Sequence, residues 1–192
     1  MECHVASGGG MMIAVVGPSG VGKDTLMRAA ALHFANHDRV FFVRRTITRA
    51  ADSGGEDHQG VSRETFDQMV AEDAFSVWWG AHGLKYGVPR SACDEMAKGR
   101  IAVVNGSRSA LGVFSRVFTR LKVISITARP EVLAERLAAR GRESREDILN
   151  RLARAPAALP AGLDVVTIDN SDDLDTALKA FITALEEAVA SS

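Results

Sequence analysis

The sequence predicts an α/β protein, a parallel five-stranded sheet with helices on both faces. Two observations carry this: short apolar runs alternate with helical patterns, and a glycine-rich run joins the first strand to the first helix. The strands are read at Met11 to Val16, Val40 to Val43, Ile101 to Val104, Leu121 to Thr127 and Val165 to Ile168. The helices fall at roughly Lys23 to Asn36, Pro89 to Lys98, Ser109 to Phe118, Pro130 to Ala139, Ser144 to Ala155 and Leu174 to Ala190. Such alternation implies right-handed crossovers and a ligand beyond the carboxyl ends of the strands.

Local chemistry supports several boundaries. Pro130 suits the first turn of its helix, and Gly141 lies just past the end, where a left-handed residue is wanted. Ser144 followed by Asp147 resembles a capping box, so Gly141 to Glu143 form a tight joint between two helices that is suited to hinge. Two stretches interrupt the simple alternation. Arg44 to Gly60 is polar and too long for an ordinary crossover loop. Ser62 to Gly87 carries a helix signal at Thr65 to Ala71, an apolar run from Phe75 to Trp79 and a turn around Gly80 to Gly87. Together they predict an inserted substrate-binding lobe, about 44–88, within a single domain spanning 11–192 after a flexible leader, 1–10.

Composition narrows the class. At 192 residues, with 46% hydrophobic and 24% charged residues, the chain can bury one good core. A net charge of −1 argues against nucleic acid as an obligate partner, and no run approaches the length of a membrane span. Cys3 and Cys93 match no zinc or redox spacing and suit a reducing interior, so the cytoplasm is the expected compartment. Nothing in the pattern separates a monomer from a homodimer. Positive charge rests on 18 arginines and only five lysines, and their clustering is more informative than the bias.

The run Gly17-Pro18-Ser19-Gly20-Val21-Gly22-Lys23-Asp24-Thr25 is the strongest chemical signal. Its glycines let successive backbone N–H groups turn around a phosphate chain, the following helix N-terminus adds a positive dipole, and Lys23 adds charge. Where the pattern expects a Ser or Thr hydroxyl for Mg²⁺, this chain has Asp24, with Thr25 one position on. These residues predict a P-loop nucleotide site. Arg45 or Arg44, with Arg49, is placed to grip an acceptor phosphate at the end of the second strand, and Thr48 adds a hydroxyl. A second group, Arg136, Arg140, Arg142, Arg145, Arg151 and Arg154, straddles the helical joint and predicts an arginine lid over about 136–154, with Arg140 and Arg151 the first choices for catalysis and Arg136 facing ATP. Leu133 and Leu137 share the inward stripe of the first of those helices. Asn105 and Arg108 end a buried strand at the same edge and are read either as substrate contacts or, for Asn105, as a cap. His58 and His82 lie in glycine-rich loops on the acceptor side. Trp78 and Trp79 read as core, and Tyr86 is placed to present a phenol to a substrate phosphate.

Taken in order, Gly17 to Thr25, Arg44 to Arg49, Gly54 to His58, Ala81 to Gly87, Val104 to Arg108 and Arg140 to Glu143 resemble the guanylate kinase branch of the nucleoside monophosphate kinases and, within it, the members that phosphorylate ribose 1,5-bisphosphate. The resemblance implies transfer of the ATP γ-phosphate to that sugar bisphosphate, giving 5-phosphoribosyl 1-diphosphate in phosphonate breakdown. It implies ATP and Mg²⁺ as requirements and adds Glu56 and His58 to the substrate contacts. For the metal it leaves Thr25 as the candidate hydroxyl and Asp24 as a ligand through water or a complement to the helix dipole. A guanylate kinase reads its base with a Glu and an Asp, and the matching positions here are Val77 and Asn105. Two readings stand beside this one: a true guanylate kinase, and a catalytically silent interaction module of the same fold.

Overall fold

The computed structural model describes residues 9–50, 55–139 and 159–192. Five strands form the main sheet: β1 (Met11–Val16), β2 (Val40–Phe42), β7 (Ile101–Asn105), β8 (Leu121–Thr127) and β9 (Asp164–Asp169). Their order is β2-β7-β1-β8-β9, and every neighbouring pair is parallel. The predicted five-stranded parallel sheet is therefore present, with boundaries within one residue of those read from the sequence. Between the strands run α1 (Lys23–His33), α3 (Ser91–Ala97), α4 (Leu111–Val117, entered by a 3-10 turn at Arg108–Ala110), α5 (Pro130–Ala138) and α6 (Leu174–Ala190).

Strand alternation divides the core between the two faces of this sheet. Ile13, Val15, Ile101, Val103, Ile124 and Ile126 meet Leu26 and Ala30 of α1, Leu133 of α5 and the Phe181, Ala184, Leu185 and Ala188 stripe of α6. Met12, Ala14, Val16, Ala102, Val104 and Val123 face the other way, against Ala92 and Met96 of α3 and Leu111 and Phe114 of α4. Met12 to Val16 have no exposed surface, as expected of a central strand buried on both faces.

The inserted segment builds a second sheet. β3 (Thr46–Ile47), β4 (Gln59–Gly60), β5 (Phe75–Ala81) and β6 (Leu84–Pro89) lie in the order β4-β3-β6-β5, with α2 (Arg63–Ala71) between β4 and β5. Ser62 caps α2 by accepting from the Thr65 backbone N–H at 3.1 Å. Two expectations change here. The turn is not the whole of Gly80 to Gly87: pairing continues through Gly80–Lys85 and Ala81–Leu84, leaving only His82 and Gly83 to turn, both at positive φ (50° and 73°) as a two-residue hairpin requires. Trp79 is core, but Trp78 on the opposite face of β5 is 47% exposed.

Pro130 opens α5 as expected. Gly141, Ser144 and Asp147, and the helix read at Ser144 to Ala155, lie outside the described residues, as do the lid arginines Arg140, Arg142, Arg145, Arg151 and Arg154. Among the described residues no helix is long and apolar enough to cross a membrane.

Candidate active site

The carboxyl ends of β1 and β7 open onto a cleft of about 470 Å³. Gly17 to Thr25 form one wall, Arg45, Arg49, Glu56, Trp79, His82 and Tyr86 of the inserted sheet form the facing wall, and Asn105 to Arg108 lie between them. Gly22 is the N-cap of α1, with φ of +94° and no side chain to cap the helix, so the first turn presents its backbone N–H groups toward the loop. A Cβ on Gly22 would come within 2.5 Å of Asn170 Nδ2. That amide donates to the Val21 carbonyl at 2.7 Å and holds the loop from behind.

Lys23 Nζ donates to the Gly17 and Pro18 carbonyls at 2.7 and 3.1 Å. Burial, with lesser contributions from Arg45 and Arg108, pulls its pKa down to about 8 against the opposing pull of Asp24. The site therefore needs anions to hold Lys23 fully charged. Polyphosphate supplies them, and the loop, the helix terminus and Lys23 together fit a nucleotide triphosphate. For Mg²⁺, no group of three or more His, Cys, Asp or Glu is present among the described residues. A Thr25 hydroxyl and phosphate oxygens suit an ion that keeps most of its waters.

Arg45 is not a free phosphate grip. It lies in a buried pair with Glu56: Nε donates to Oε1 at 2.7 Å and Nη2 donates to Oε2. Its guanidinium sits 4.9 Å from the Tyr86 ring centroid and 5.6 Å from that of Trp79, and the two rings are themselves stacked. Removing one partner of such a pair strands the other charge, at a cost of roughly 3–5 kcal/mol. Arg44 points to solvent and pairs with Asp57 instead. Among the described residues of the cleft, the cations left for a ligand are Lys23, Arg49 and Arg108; the Nε atoms of both arginines are buried without a hydrogen-bond partner.

Asn105, 6% exposed, donates from Nδ2 to Asp24 Oδ1 at 2.9 Å and to Glu56 Oε2 at 3.0 Å. It thereby ties the phosphate loop to the inserted sheet. Asp24 is turned toward this amide and, through it, toward Glu56. His58 does not line the cleft: it is 1% exposed, and its Nδ1–H donates to the Glu56 carbonyl at 2.9 Å, which supports the Glu56 backbone from behind. Arg136 also lies outside the lining, with Nη1 donating to the Asn170 carbonyl at 2.9 Å, whereas Leu137, expected to pack inward, lines the cleft beside Gly20. Sequence reasoning missed Asn170. Its signal was the place it occupies, immediately after the last parallel strand at the edge where ligands gather.

The sequence profile of the guanylate kinase family matches residues 10–188. The chain belongs to that family. Among curated relatives, a ribose 1,5-bisphosphate phosphokinase PhnN of Rhizobium etli is 51% identical over 98% of this chain and 97% of its own length, and that of Agrobacterium fabrum is 49% identical over 94% and 99%. A bifunctional ribose 1,5-bisphosphokinase-thymidine phosphorylase of Azorhizobium caulinodans is 42% identical over 93% of this chain, which spans 26% of that longer protein. Among solved structures, the guanylate kinase of Anaplasma phagocytophilum superposes with a TM-score of 0.67 at 20% identity, over 93% of this chain and 86% of that one, and so shares the fold.

Proposed function

We propose that the protein transfers the γ-phosphate of ATP to ribose 1,5-bisphosphate, forming 5-phosphoribosyl 1-diphosphate. The reading is carried by relatives of that name, about half identical over nearly the full chain. The site agrees with it. Val77, the position matched to a base-reading Glu, is 2% exposed within the core, and Asn105 brings no charge of its own.

An oxygen of the 1-phosphate attacks the γ-phosphorus in line, and the bond to the β-phosphate oxygen breaks as ADP leaves with the electron pair. The nucleophile is already an anion, so the step needs no general base. Gly17 to Lys23 hold the donor phosphates, and Arg49 and Arg108 hold acceptor phosphates with Tyr86 beside them. The Thr25 hydroxyl would help hold Mg²⁺, which when bound would supply charge neutralisation at the phosphate oxygens. Arg140 and Arg151 are the proposed transition-state cations of the lid, Arg136 holds the Asn170 carbonyl behind the phosphate loop instead of contacting ATP, and the cytoplasm is the proposed compartment.

Purified protein with ATP and Mg²⁺ is expected to convert ribose 1,5-bisphosphate to a diphosphorylated sugar, followed by phosphorus NMR, with GMP turned over at least a hundredfold less efficiently. Efficient GMP turnover would make it a guanylate kinase.

A further inference from the structure

Phosphates accept hydrogen bonds and do not donate them once ionised; carboxylates behave alike. A cleft built for two phosphorylated ligands should therefore exclude carboxylates, yet Asp24 and Glu56 both line it. Neither is there by looseness. Glu56 is locked by the two-pronged contact with Arg45, itself clamped on Tyr86 and Trp79. Asp24 and Glu56 share the amide of Asn105, which places one oxygen of each within 3.0 Å of a single nitrogen. Acceptors that close together match adjacent hydroxyls on one furanose ring.

The surroundings fit the same ligand. Arg49 and Arg108 line the cleft with buried Nε atoms that have no partner in the protein, and these are donors for phosphate. The row of Asp24, Asn105 and Glu56 also lines a neighbouring cavity of about 220 Å³ floored by Met27, Ala31, Phe42 and Val43, so the row is the partition between the two spaces. It stands between the phosphate loop and the inserted sheet, where the middle of an acceptor must lie when one end faces ATP. Arg45 neutralises Glu56, so the carboxylate accepts a hydroxyl without repelling the phosphates on either side.

We propose that Asp24 and Glu56, joined through Asn105, read the hydroxyls of the acceptor sugar, with Arg45 as the positioning residue for Glu56. The proposal rests on the sugar-bisphosphate reading above and moves Asp24 from the metal to the acceptor.

The test compares ribose 1,5-bisphosphate with its 2-deoxy analogue in the unaltered protein and in the isosteric variants Asp24→Asn and Glu56→Gln. Sites built to bond a hydroxyl reject analogues lacking it by large factors, so kcat/KM should favour ribose at least a hundredfold in the unaltered protein. Each variant should cut that preference at least tenfold, with the Mg²⁺ concentration for half-maximal rate changed less than twofold. An Asp24→Asn protein that keeps the preference but needs far more Mg²⁺ returns Asp24 to the metal and overturns the proposal. Preference unchanged in both variants overturns it too. Should a variant not fold, ribose 5-phosphate and 2-deoxyribose 5-phosphate serve as inhibitors of the unaltered protein: at least tenfold weaker inhibition by the deoxy sugar supports the proposal, and equal inhibition overturns it. No turnover of ribose 1,5-bisphosphate by the unaltered protein fails the acceptor reading itself, and this proposal falls with it.

Discussion

Lys23 reports on the phosphate site through its proton. Its folded pKa of about 8 lies below the ordinary 10.5, so the buried ammonium costs stability below pH 8, and that cost is relieved as pH rises from about 8 through 10.5. Bound phosphates favour the charged form, so ATP binding should take up a proton near pH 8 and weaken as pH climbs above it. Calorimetric titration at pH 8.5 in two buffers of different ionisation enthalpy measures the uptake; an unchanged Kd from pH 7 to 9.5 would put the controlling charge elsewhere. The sequence made Lys23 and the surrounding glycines legible because a phosphate loop is one contiguous string whose chemistry depends on spacing. Arg45 was legible only as a cation. That it is spent on Glu56 depends on a contact across eleven positions and two aromatic rings, which no local pattern encodes. The same holds for Asp24, whose partner Asn105 lies 81 positions away.

At the scale of elements, the turns and caps lend themselves to substitution. Gly22→Ala would force a Cβ into Asn170 Nδ2 at 2.5 Å and hold φ near +94°, which side chains resist. Titration with a fluorescent ATP analogue should show at least tenfold weaker binding, and unaltered binding would mean the loop has room the geometry denies. Ser62→Ala removes the cap of α2, a loss of about 1 kcal/mol. That should lower the melting temperature by roughly 2–4 °C, read by thermal denaturation, and no change would mean water replaces the hydroxyl. Strands of the main sheet were legible because an unbroken apolar run between breakers, too short for a helix, fits a strand buried on both faces. β3 and β4 were not. Each is two residues long: Thr46-Ile47 becomes a strand by pairing with β6, and Gln59-Gly60 by pairing in turn with Thr46-Ile47.

Across the whole molecule, two sheets meet at one cleft, and Asn105 at the end of β7 is bonded to both Asp24 in the first turn of α1 and Glu56. Motion of the inserted sheet relative to the main sheet therefore pulls on the donor and acceptor sides together. The predicted lobe was visible as an interruption of the alternation, but its orientation came from the second apolar cluster, where Val77, Trp79 and Val88 pack on the same side chains as α3 and α4. The order of the main sheet also bears on biosynthesis. The first strand made is the middle strand, and its partners β7 and β8 are not complete until Asn105 and Thr127. At about 5–20 residues per second, Met11 to Val16 wait on the order of 5–20 s with both edges open. A fragment ending at residue 118 should therefore bind chaperone or aggregate in a translation assay that leaves the full chain soluble, and a freely soluble fragment would show that the early strand finds shelter elsewhere. Ribosomal pace thus becomes a determinant of yield for this enzyme, so slow codons before β8 lengthen its most vulnerable interval.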